Sequence, residues 1–452
     1  MFKCSLLLIQ GATMMKKIRL GTMLLTFVLL MSTALVGCAE TDTNTSANPA
    51  DAGKITLELW DWWGDGTHKA VIEQIVSDFN ASQDKIVVEH VHYPWGDVWT
   101  KALAATAAGN PPDIVIQDIN SVPTRADAKQ SMDLQPYIDK EPGFKDKFYP
   151  QLWDATVHEG HSYGIPFTTD TRLLFYDKDM FKEAGLDPEA PPSTWDELIE
   201  TARKLDKVSD DGNIERLGFF PLTHVDWDFW ALNASGGQSF LQPDGTVTVN
   251  TPEKLAAVKW VKENYFDYYT KRKLDAFTAE FGNGMTNPFV SGKVAMIAQT
   301  ATEFTKVRDF APDKNYGMAF IPEFKEGTGY WSWGGGFTAE IPVGAKHPDA
   351  SWEFVKYLTD TKAQTYWATQ VYDSVANIEA AESKEALSHP VFQKATENME
   401  WTALTPFPVF APSHMDLVKP KVEEVWIGKK TPEEAMAEAQ KAVEDLVQRN
   451  KK

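Results

Sequence analysis

The chain has 452 residues, of which 43% are hydrophobic, and it carries 16 Trp, 25 Phe and a formal net charge of −20. This length favours two or more lobes over a single core. Positions 1–37 contain four basic and no acidic residues, so the rest of the chain is more acidic still. Such a surface repels nucleic acid and anionic lipid headgroups, and a nucleic-acid partner is therefore not expected.

The N-terminus has the pattern of a targeting segment. Three basic residues at 16–19 precede the apolar stretch "LGTMLLTFVLLM" at 20–31, and Met14 or Met15 is an alternative start to Met1. "LVGC" at 35–38 resembles a bacterial lipobox, in which Cys38 becomes the lipid-modified first residue of the mature protein. The alternative is an ordinary transmembrane anchor, for which the apolar stretch is short. We therefore expect a signal peptide over 1–37.

Cysteine usage agrees with this interpretation. The other cysteine, Cys4, lies in the segment that would be removed. A mature chain lipidated at Cys38 would have no disulfide, thiolate nucleophile or cysteine metal site. Residues 39–53, "AETDTNTSANPADAG", contain no large apolar side chain, so 38–53 is predicted to be a lipid-anchored flexible tether.

Next along the chain, the hydrophobic pattern predicts β-α-β-α-β. Strands are expected at 55–60, 86–91 and 111–116, and helices at 68–82 and 97–108. This order favours a parallel sheet with right-handed crossovers. Ligands of such sheets bind beyond the carboxyl ends of the strands. Those ends are "DWWGDG" (61–66), "HYPW" (92–95) and "QDINS" (117–121).

A second block of elements follows. Strands at 162–167 and 172–177 flank the polar stretch "TTDT", where a purely structural carboxylate at Asp170 would have little to do. A helix is predicted at 192–205 from the capping-box pair Thr194 and Glu197. The same signal, with Pro at the first helical position, predicts a docked C-terminal helix at 430–447.

Tryptophans concentrate at these predicted strand ends and turns. Beside Gly and Asp in a loop, an indole ring can offer a flat apolar face while nearby acids accept hydrogen bonds, which suits a sugar. Each such Trp taken alone could equally belong to the core, but several at strand ends favour a shared ligand cleft. The residues are Trp60, Trp62, Trp63, Trp95, Trp99, Trp227, Trp230, Trp331 and Trp333.

Signals for metal binding or catalysis are weak. His158 and His161 in "VHEGH" have a ligand-like spacing, but Gly160 favours a hairpin turn. Neither a phosphate-binding glycine loop nor a G-x-S-x-G nucleophile motif is present, so no cofactor and no catalytic residue is expected. Nothing marks a nucleophile and an acid among the many carboxylates, although a glycosidase pair remains an alternative.

Five segments spread along the chain carry a resemblance to a known family. They are "AAGNPPDIVIQD" (107–118), "YGIPFTTDTRLLFYDKDMFKEAGL" (163–186), "FVSGKVAMI" (289–297), "GGGFTAEIPVGAKHPDASWEFVKYL" (334–358) and the final helix. The chain resembles the family 1 extracellular solute-binding proteins of ABC importers, which include maltose- and oligosaccharide-binding proteins.

The resemblance implies an α/β fold of the two-lobed periplasmic-binding-protein type. Each lobe would be a mostly parallel sheet flanked by helices, and the inter-lobe crossovers would form a hinge. The first lobe is expected at 54–168 plus 337–370, and the second at 169–336 plus 371–452.

The resemblance also implies the binding residues. On the first lobe they are Trp63, Asp65, Asp118 and Asn120, and near the crossover Asp170. On the second lobe they are His224, Asp226, Trp227 and Trp230, and on the crossing segment Trp331, Trp333 and Gly334. One departure is the sequence "AQTATEF" after "GKVAMI", where relatives often carry Gly and an aromatic residue, so no stacking role is assigned to Thr300.

The resulting hypothesis is a monomeric, lipid-anchored receptor that binds a mono- or oligosaccharide and delivers it to the permease subunits of an ABC importer. It would work at the outer face of the cell membrane, or in the periplasm of a cell with two membranes. Acids beside aromatics would also suit a polyamine, which is the alternative within this fold. A surface glycoside hydrolase is the alternative from another class.

Overall fold

The computed structural model describes residues 53–282 and 284–451. The predicted signal segment, Cys38 and the predicted tether up to residue 52 lie outside these residues. The strands are β1 Ile55–Asp61, β2 Ile86–His92, β3 Ile114–Asp118, β4 Val157–His158, β5 His161–Ser162, β6 Ile165–Thr169, β7 Arg172–Asp177, β8 Lys207–Val208, β9 Ile214–Phe219, β10 Val294–Thr300, β11 Tyr316–Ala319, β12 Ser332–Trp333, β13 Gly336–Glu340, β14 Ser374–Val375 and β15 Thr402–Ala403.

The helices lie between and after these strands. They are α1 Gly66–Ser82, α2 Asp97–Ala107, α3 Val122–Asp127, α4 Gln135–Ile138, α5 Pro150–Ala155, α6 Lys178–Glu183, α7 Trp195–Leu205, α8 Trp227–Ala234, α9 Pro252–Val261, α10 Asp267–Tyr269, α11 Lys271–Thr278, α12 Glu303–Phe310, α13 Pro348–Leu358, α14 Thr361–Val371, α15 Ile378–Ala381, α16 Lys384–Leu387, α17 Pro390–Glu397, α18 Met415–Trp426 and α19 Pro432–Asn450. Across residues 53–282 and 284–451, none of them is long and apolar enough to cross a membrane.

The first sheet has the strand order β14-β6-β13-β3-β1-β2. β1 runs parallel to both β2 and β3, which confirms the predicted β-α-β-α-β unit. β13 returns antiparallel between β3 and β6. Val115 and Ile116 of β3 point to opposite faces and are both fully buried, as expected for a central strand covered on both faces. This sheet and its helices enclose one hydrophobic core.

The second sheet has the order β11-β7-β10-β9-β8 and encloses a second core. β10 is parallel to β9 and antiparallel to β7, and β8 and β11 are also antiparallel to their neighbours, so this sheet is mixed rather than mostly parallel. The predicted C-terminal helix is confirmed as α19. At its start, Thr431 and Glu434 form the reciprocal capping box. Val443 and Ala439 of this helix are buried in the second core.

The two lobes are joined by segments that hydrogen-bond to one another. β12 pairs parallel with β15. Thr171, which links β6 to β7, has its Oγ1 2.6 Å from Oγ1 of Thr402 and accepts a hydrogen bond of 2.7 Å from Nδ2 of Asn398. Because these polar groups are buried, their mutual bonds stabilise the crossing point.

The exact division of the chain between the lobes stays a prediction. β14 pairs antiparallel with β6, so Ser374 and Val375 lie in the first sheet, after the predicted boundary at residue 370. The first core continues as far as Phe392.

Candidate functional site

The ends of four strands meet at one edge of the first sheet. The register places Asp61 beside His92, and Phe337 opposite Asp118. Gly336 lies opposite Thr169. The loops that follow β1, β2, β3 and β6 therefore lie at the same edge as the glycine run that precedes β13.

The matching edge of the second sheet lies close by. Thr300, at the end of β10, pairs with Arg172 at the start of β7. Only Asp170 and Thr171 separate β6 from β7, so the two sheet edges are within about 11 Å of each other at this point. The residues at these two edges define the candidate inter-lobe cleft.

Four rings form an aromatic shelf on the first-lobe side, defined as Trp62, Trp95, Trp99 and Phe337. The Trp62 ring lies 4.8 Å from Trp95 and 4.5 Å from Phe337, and Trp95 lies 4.9 Å from Trp99. Trp95 is 60% exposed. Its ring is thus braced edge-on by neighbours while much of its surface is open, an arrangement that can stack on the apolar face of a sugar.

The family resemblance predicted Trp63 as a ligand contact, but Trp63 is not part of the aromatic shelf. Trp63 is 7% exposed and packs in the first core, with its ring 4.6 Å from Trp367 and 5.8 Å from Phe167. Its neighbour Trp62 is half-buried and contacts Trp95 and Phe337 of the shelf instead. Phe337 was missed altogether, although its position directly after three glycines was a usable signal. Asp65 is exposed and makes no side-chain capping bond to α1.

Asp118 and Asn120 are bonded within the protein. Asp118 accepts hydrogen bonds from the Ser121 backbone N–H at 3.2 Å and from its hydroxyl at 3.1 Å. Burial raises the pKa of Asp118, although the Arg125 charge opposes the shift. Asn120 is 5% exposed, and its carbonyl accepts the N–H of Phe407 at 2.7 Å. Its Oδ1 is buried without a partner among the described residues.

Asp170 has a structural role, contrary to the expectation that a carboxylate would have little to do there. Its Oδ1 accepts the Gly335 N–H at 2.8 Å and forms an ion pair with Arg172. Arg172 in turn donates to the Trp333 carbonyl at 2.7 Å. Within the described part of the chain, Oδ2 has no hydrogen-bond partner, and the side chain is 31% exposed. Asp170 can therefore hold the crossover through Oδ1 and still accept a hydrogen bond from a ligand hydroxyl through Oδ2.

The glycine run is explained by close backbone approach. A Cβ at Gly334 would lie 2.4 Å from Cγ2 of Thr402 and 2.8 Å from the Asp170 carbonyl. A Cβ at Gly336 would lie 2.3 Å from the Thr168 carbonyl. Any larger residue would force the crossing strands apart. Gly334 thus faces neighbouring protein atoms, and its predicted ligand contact stays a prediction.

Trp331 and Trp333 point in different directions. Trp331 packs at right angles to Trp401, 5.7 Å away, and its carbonyl accepts from Asn233 at 2.6 Å. Trp333 is half-buried, and its Nε1 donates to Oγ1 of Thr405 at 3.1 Å. Of the two, Trp333 lines a cavity.

This second-lobe cavity has a volume of about 570 Å³. Phe407 links it to the first lobe, because this residue lines the cavity and also donates its N–H to Asn120. The wall is mainly apolar, with charged groups at Asp228, Asp416 and Lys419. The lining residues are Asp228, Leu232, Ser239, Phe240, Leu241, Trp333, Thr405, Pro406, Phe407, Pro408, Pro412, Ser413, His414, Met415, Asp416 and Lys419.

The predicted second-lobe residues divide into buried and accessible ones. Trp227 and Trp230 are 2% and 0% exposed, and Nε1 of Trp230 donates to the Pro221 carbonyl at 2.8 Å. Both lie in the second core, because every side chain of α8 is buried. His224 is exposed in a left-handed conformation, with φ 66°. Asp226 begins α8 and lies 3.3 Å from Lys419.

Cations at the cleft lie beside carboxylates. Lys419 is 3.3 Å from both Asp226 and Asp228. Burial raises the pKa of Asp228, and the Lys419 charge opposes that shift. In α12, which follows β10, Lys306 is 3.2 Å from the fully buried Glu303. Together with the Arg172 pair, this pairing gives a polar but locally balanced cleft, which suits a neutral ligand with many hydroxyls.

The histidines singled out for metal binding form a hairpin, as predicted. His158 pairs with His161 across the antiparallel strands β4 and β5, and Gly160 has φ 87°. Within residues 53–282 and 284–451, no group of three or more His, Cys, Asp or Glu side chains is arranged to hold a metal ion.

The chain belongs to the bacterial extracellular solute-binding protein family, whose model matches residues 64–365. It is 28% identical to CpMnBP1, solved with mannotriose bound, with a TM-score of 0.76 over 86% of this chain and 100% of that one. It is 27% identical to the sn-glycerol-3-phosphate-binding periplasmic protein UgpB of Escherichia coli K12, over 84% of this chain and 90% of that protein. A maltotriose-binding protein of Pyrococcus abyssi is 27% identical over 60% of this chain and 56% of its own length. These relatives are named as binding proteins and not as enzymes.

Proposed function

We propose that this protein is the sugar receptor of an ABC importer, and that it holds a neutral oligosaccharide between its lobes. The aromatic shelf is the observation that carries the proposal. It combines a braced, accessible indole with the carboxylates of Asp65 and Asp170 at the same sheet edge. Stacking on the ring and hydrogen bonds to the hydroxyls are the two contacts that a sugar offers.

The second lobe would complete the site. Trp333 and Phe407 line a cavity of about 570 Å³, and Phe407 is bonded to Asn120 beside the shelf. A ligand that touches both lobes favours their closed arrangement, because its contacts are complete only there. The permease would then distinguish the loaded from the empty receptor by shape.

The class of ligand follows from charge and from the relatives. Arg172, Lys306 and Lys419 each lie beside a carboxylate, so a phosphate would find its cationic partners already neutralised. This argues for a neutral sugar over a glycerol phosphate. The similarity to CpMnBP1 supports a manno-oligosaccharide as the first ligand to test, and it favours a sugar over a polyamine.

Calorimetry tests the proposal directly. The purified chain from residue 39 onward would be titrated with mannotriose, maltotriose, glycerol 3-phosphate and spermidine. We expect saturable binding of at least one oligosaccharide, with recovery of the sugar uncleaved. Binding confined to glycerol 3-phosphate or spermidine, or release of shorter sugars, would refute it.

We also propose that the receptor is anchored by a lipid on Cys38 at the outer face of the membrane and acts as a monomer. The supporting pattern is "LVGC" after an apolar stretch. The native protein should partition into detergent, and Cys38→Ala should block maturation. Light scattering on the tether-free chain should give the mass of one copy, and a stable dimer would contradict the monomer.

A further inference from the structure

Lys254, in the first turn of α9, is a lysine with no exposed surface. Its Nζ donates to the Ser239 carbonyl at 2.7 Å, to the Thr248 carbonyl at 2.8 Å and to Oγ1 of Thr248 at 3.2 Å. The three ammonium protons thus have three oxygen acceptors. The same nitrogen lies 4.6 Å from the centre of the Phe240 ring.

These acceptors belong to a loop that forms part of the second-lobe cavity. Ser239, Phe240 and Leu241 line the cavity, and Lys254 lies behind them. The loop closes on itself, because the Thr248 N–H donates to the Phe240 carbonyl at 2.9 Å and Oγ1 of Thr248 donates to the Ser239 carbonyl at 2.7 Å. Lys254 hydrogen-bonds to Ser239 and Thr248, the two residues at which the loop closes.

Burying an ammonium group at this position costs desolvation free energy. Burial lowers the pKa of Lys254 to about 7, and the charge of Glu253 offsets the shift only in part. An apolar side chain of similar length would be cheaper to desolvate. What lysine adds is a set of three directional bonds to one cavity wall.

We infer that Lys254 is a positioning residue, which holds the Ser239–Leu241 wall of the second-lobe cavity in the shape that the ligand meets. It does not touch the ligand itself. The effect on affinity rests on the proposed sugar-binding function, whereas the effect on the loop does not depend on any ligand.

Two variants test this inference. Lys254→Met keeps the unbranched apolar stem of the side chain and removes all three hydrogen bonds. Thr248→Val removes only the hydroxyl that bridges Lys254 and Ser239. The matched control is Lys259→Met on the same helix, whose side chain is 39% exposed and pairs with Glu433. We would measure the Kd for mannotriose, the Tm, and the protection factor for hydrogen exchange of the backbone amide at position 248, which corrects for the different intrinsic rates of Thr and Val.

We expect Lys254→Met to weaken mannotriose binding about tenfold, with faster exchange of the Thr248 N–H, and Thr248→Val to shift both in the same direction by less. Lys259→Met should change neither. If Lys254→Met folds and its Kd and amide exchange equal those of the wild type, the inference is overturned. If Lys254→Met does not fold, the inference is overturned by a Thr248→Val variant whose Kd and amide exchange equal those of the wild type. Failure of the wild type to bind any sugar refutes the proposed function instead, and the exchange measurement then decides alone whether Lys254 holds the loop.

Discussion

Trp95→Ala is the sharpest test of the aromatic shelf. A tryptophan side chain buries about 150–250 Å² when fully covered, and Trp95 is 60% exposed. If a sugar covers half of that exposed surface, it buries roughly 50–75 Å², which is worth about 1–2 kcal/mol at ~25 cal/mol per Å². We therefore expect Trp95→Ala to weaken sugar binding about five- to thirtyfold.

The same substitution should also lower stability by about 1–3 kcal/mol without unfolding the protein. Trp95 touches Trp62 and Trp99 edge-on, and such ring contacts are worth about 0.5–1.5 kcal/mol each. The control is Tyr268→Ala, a second-lobe ring that is 63% exposed and belongs to neither the shelf nor the second-lobe cavity. Calorimetry with a sugar that the wild type binds should show the affinity loss for Trp95→Ala alone. Equal affinities of wild type and Trp95→Ala would refute the stacking argument.

Three further predictions concern Asp170, the buried Trp230, and His68 of α1, whose Nε2 lies 3.2 Å from Oδ2 of Asp373. Asp170→Ala removes the acceptor of the Gly335 N–H and one partner of an ion pair, so both the sugar affinity and the free energy of unfolding should fall, the latter by about 1–3 kcal/mol in a denaturant titration; unchanged stability would contradict the bracing role. Trp230→Ala should cost about 3–5 kcal/mol of stability and leave the Kd of the folded fraction unchanged, because the ring is buried; a large affinity loss at full stability would show that it contacts ligand. Burial lowers the pKa of His68, but the hydrogen bond and charge of Asp373, with Asp65 and Asp61, raise it above 6.5 overall. The contribution of protonated His68 to the free energy of unfolding is therefore complete below pH 6.5 and is lost as the pH rises through the folded-state pKa. Asp373→Asn should reduce this pH dependence of the free energy of unfolding.

Much of the fold was readable from local sequence signals. The alternation in 55–60 and the helical spacing after it predicted β1 and α1, and the register of β1, β2 and β3 confirms the parallel arrangement. Thr431 and Glu434 marked the start of α19, because a capping box involves residues only three apart. Such signals depend on neighbours in sequence, so they need no knowledge of tertiary contacts.

The directions of the side chains at the cleft depended on tertiary packing. Trp62 and Trp63 are adjacent and chemically identical, yet one joins the shelf and the other packs against Trp367, some 300 residues away. Trp227 and Trp230 looked like loop residues, but they begin a helix whose every side chain is buried. Whether a tryptophan is core or surface is settled by the elements that cover it.

By itself, the sequence determined the parallel β1, β2 and β3 unit, an acidic surface and the strand-end loops where a ligand would bind, and its family resemblance implied two α/β lobes. The tertiary structure alone decided that Asp170 braces Gly335, that Gly334 and Gly336 allow close approach to Thr402 and Thr168, and that Phe337 completes the shelf. The reason is distance along the chain. These contacts join residues more than 60 positions apart, and their geometry is fixed only when both lobes have folded and the crossing segments have paired.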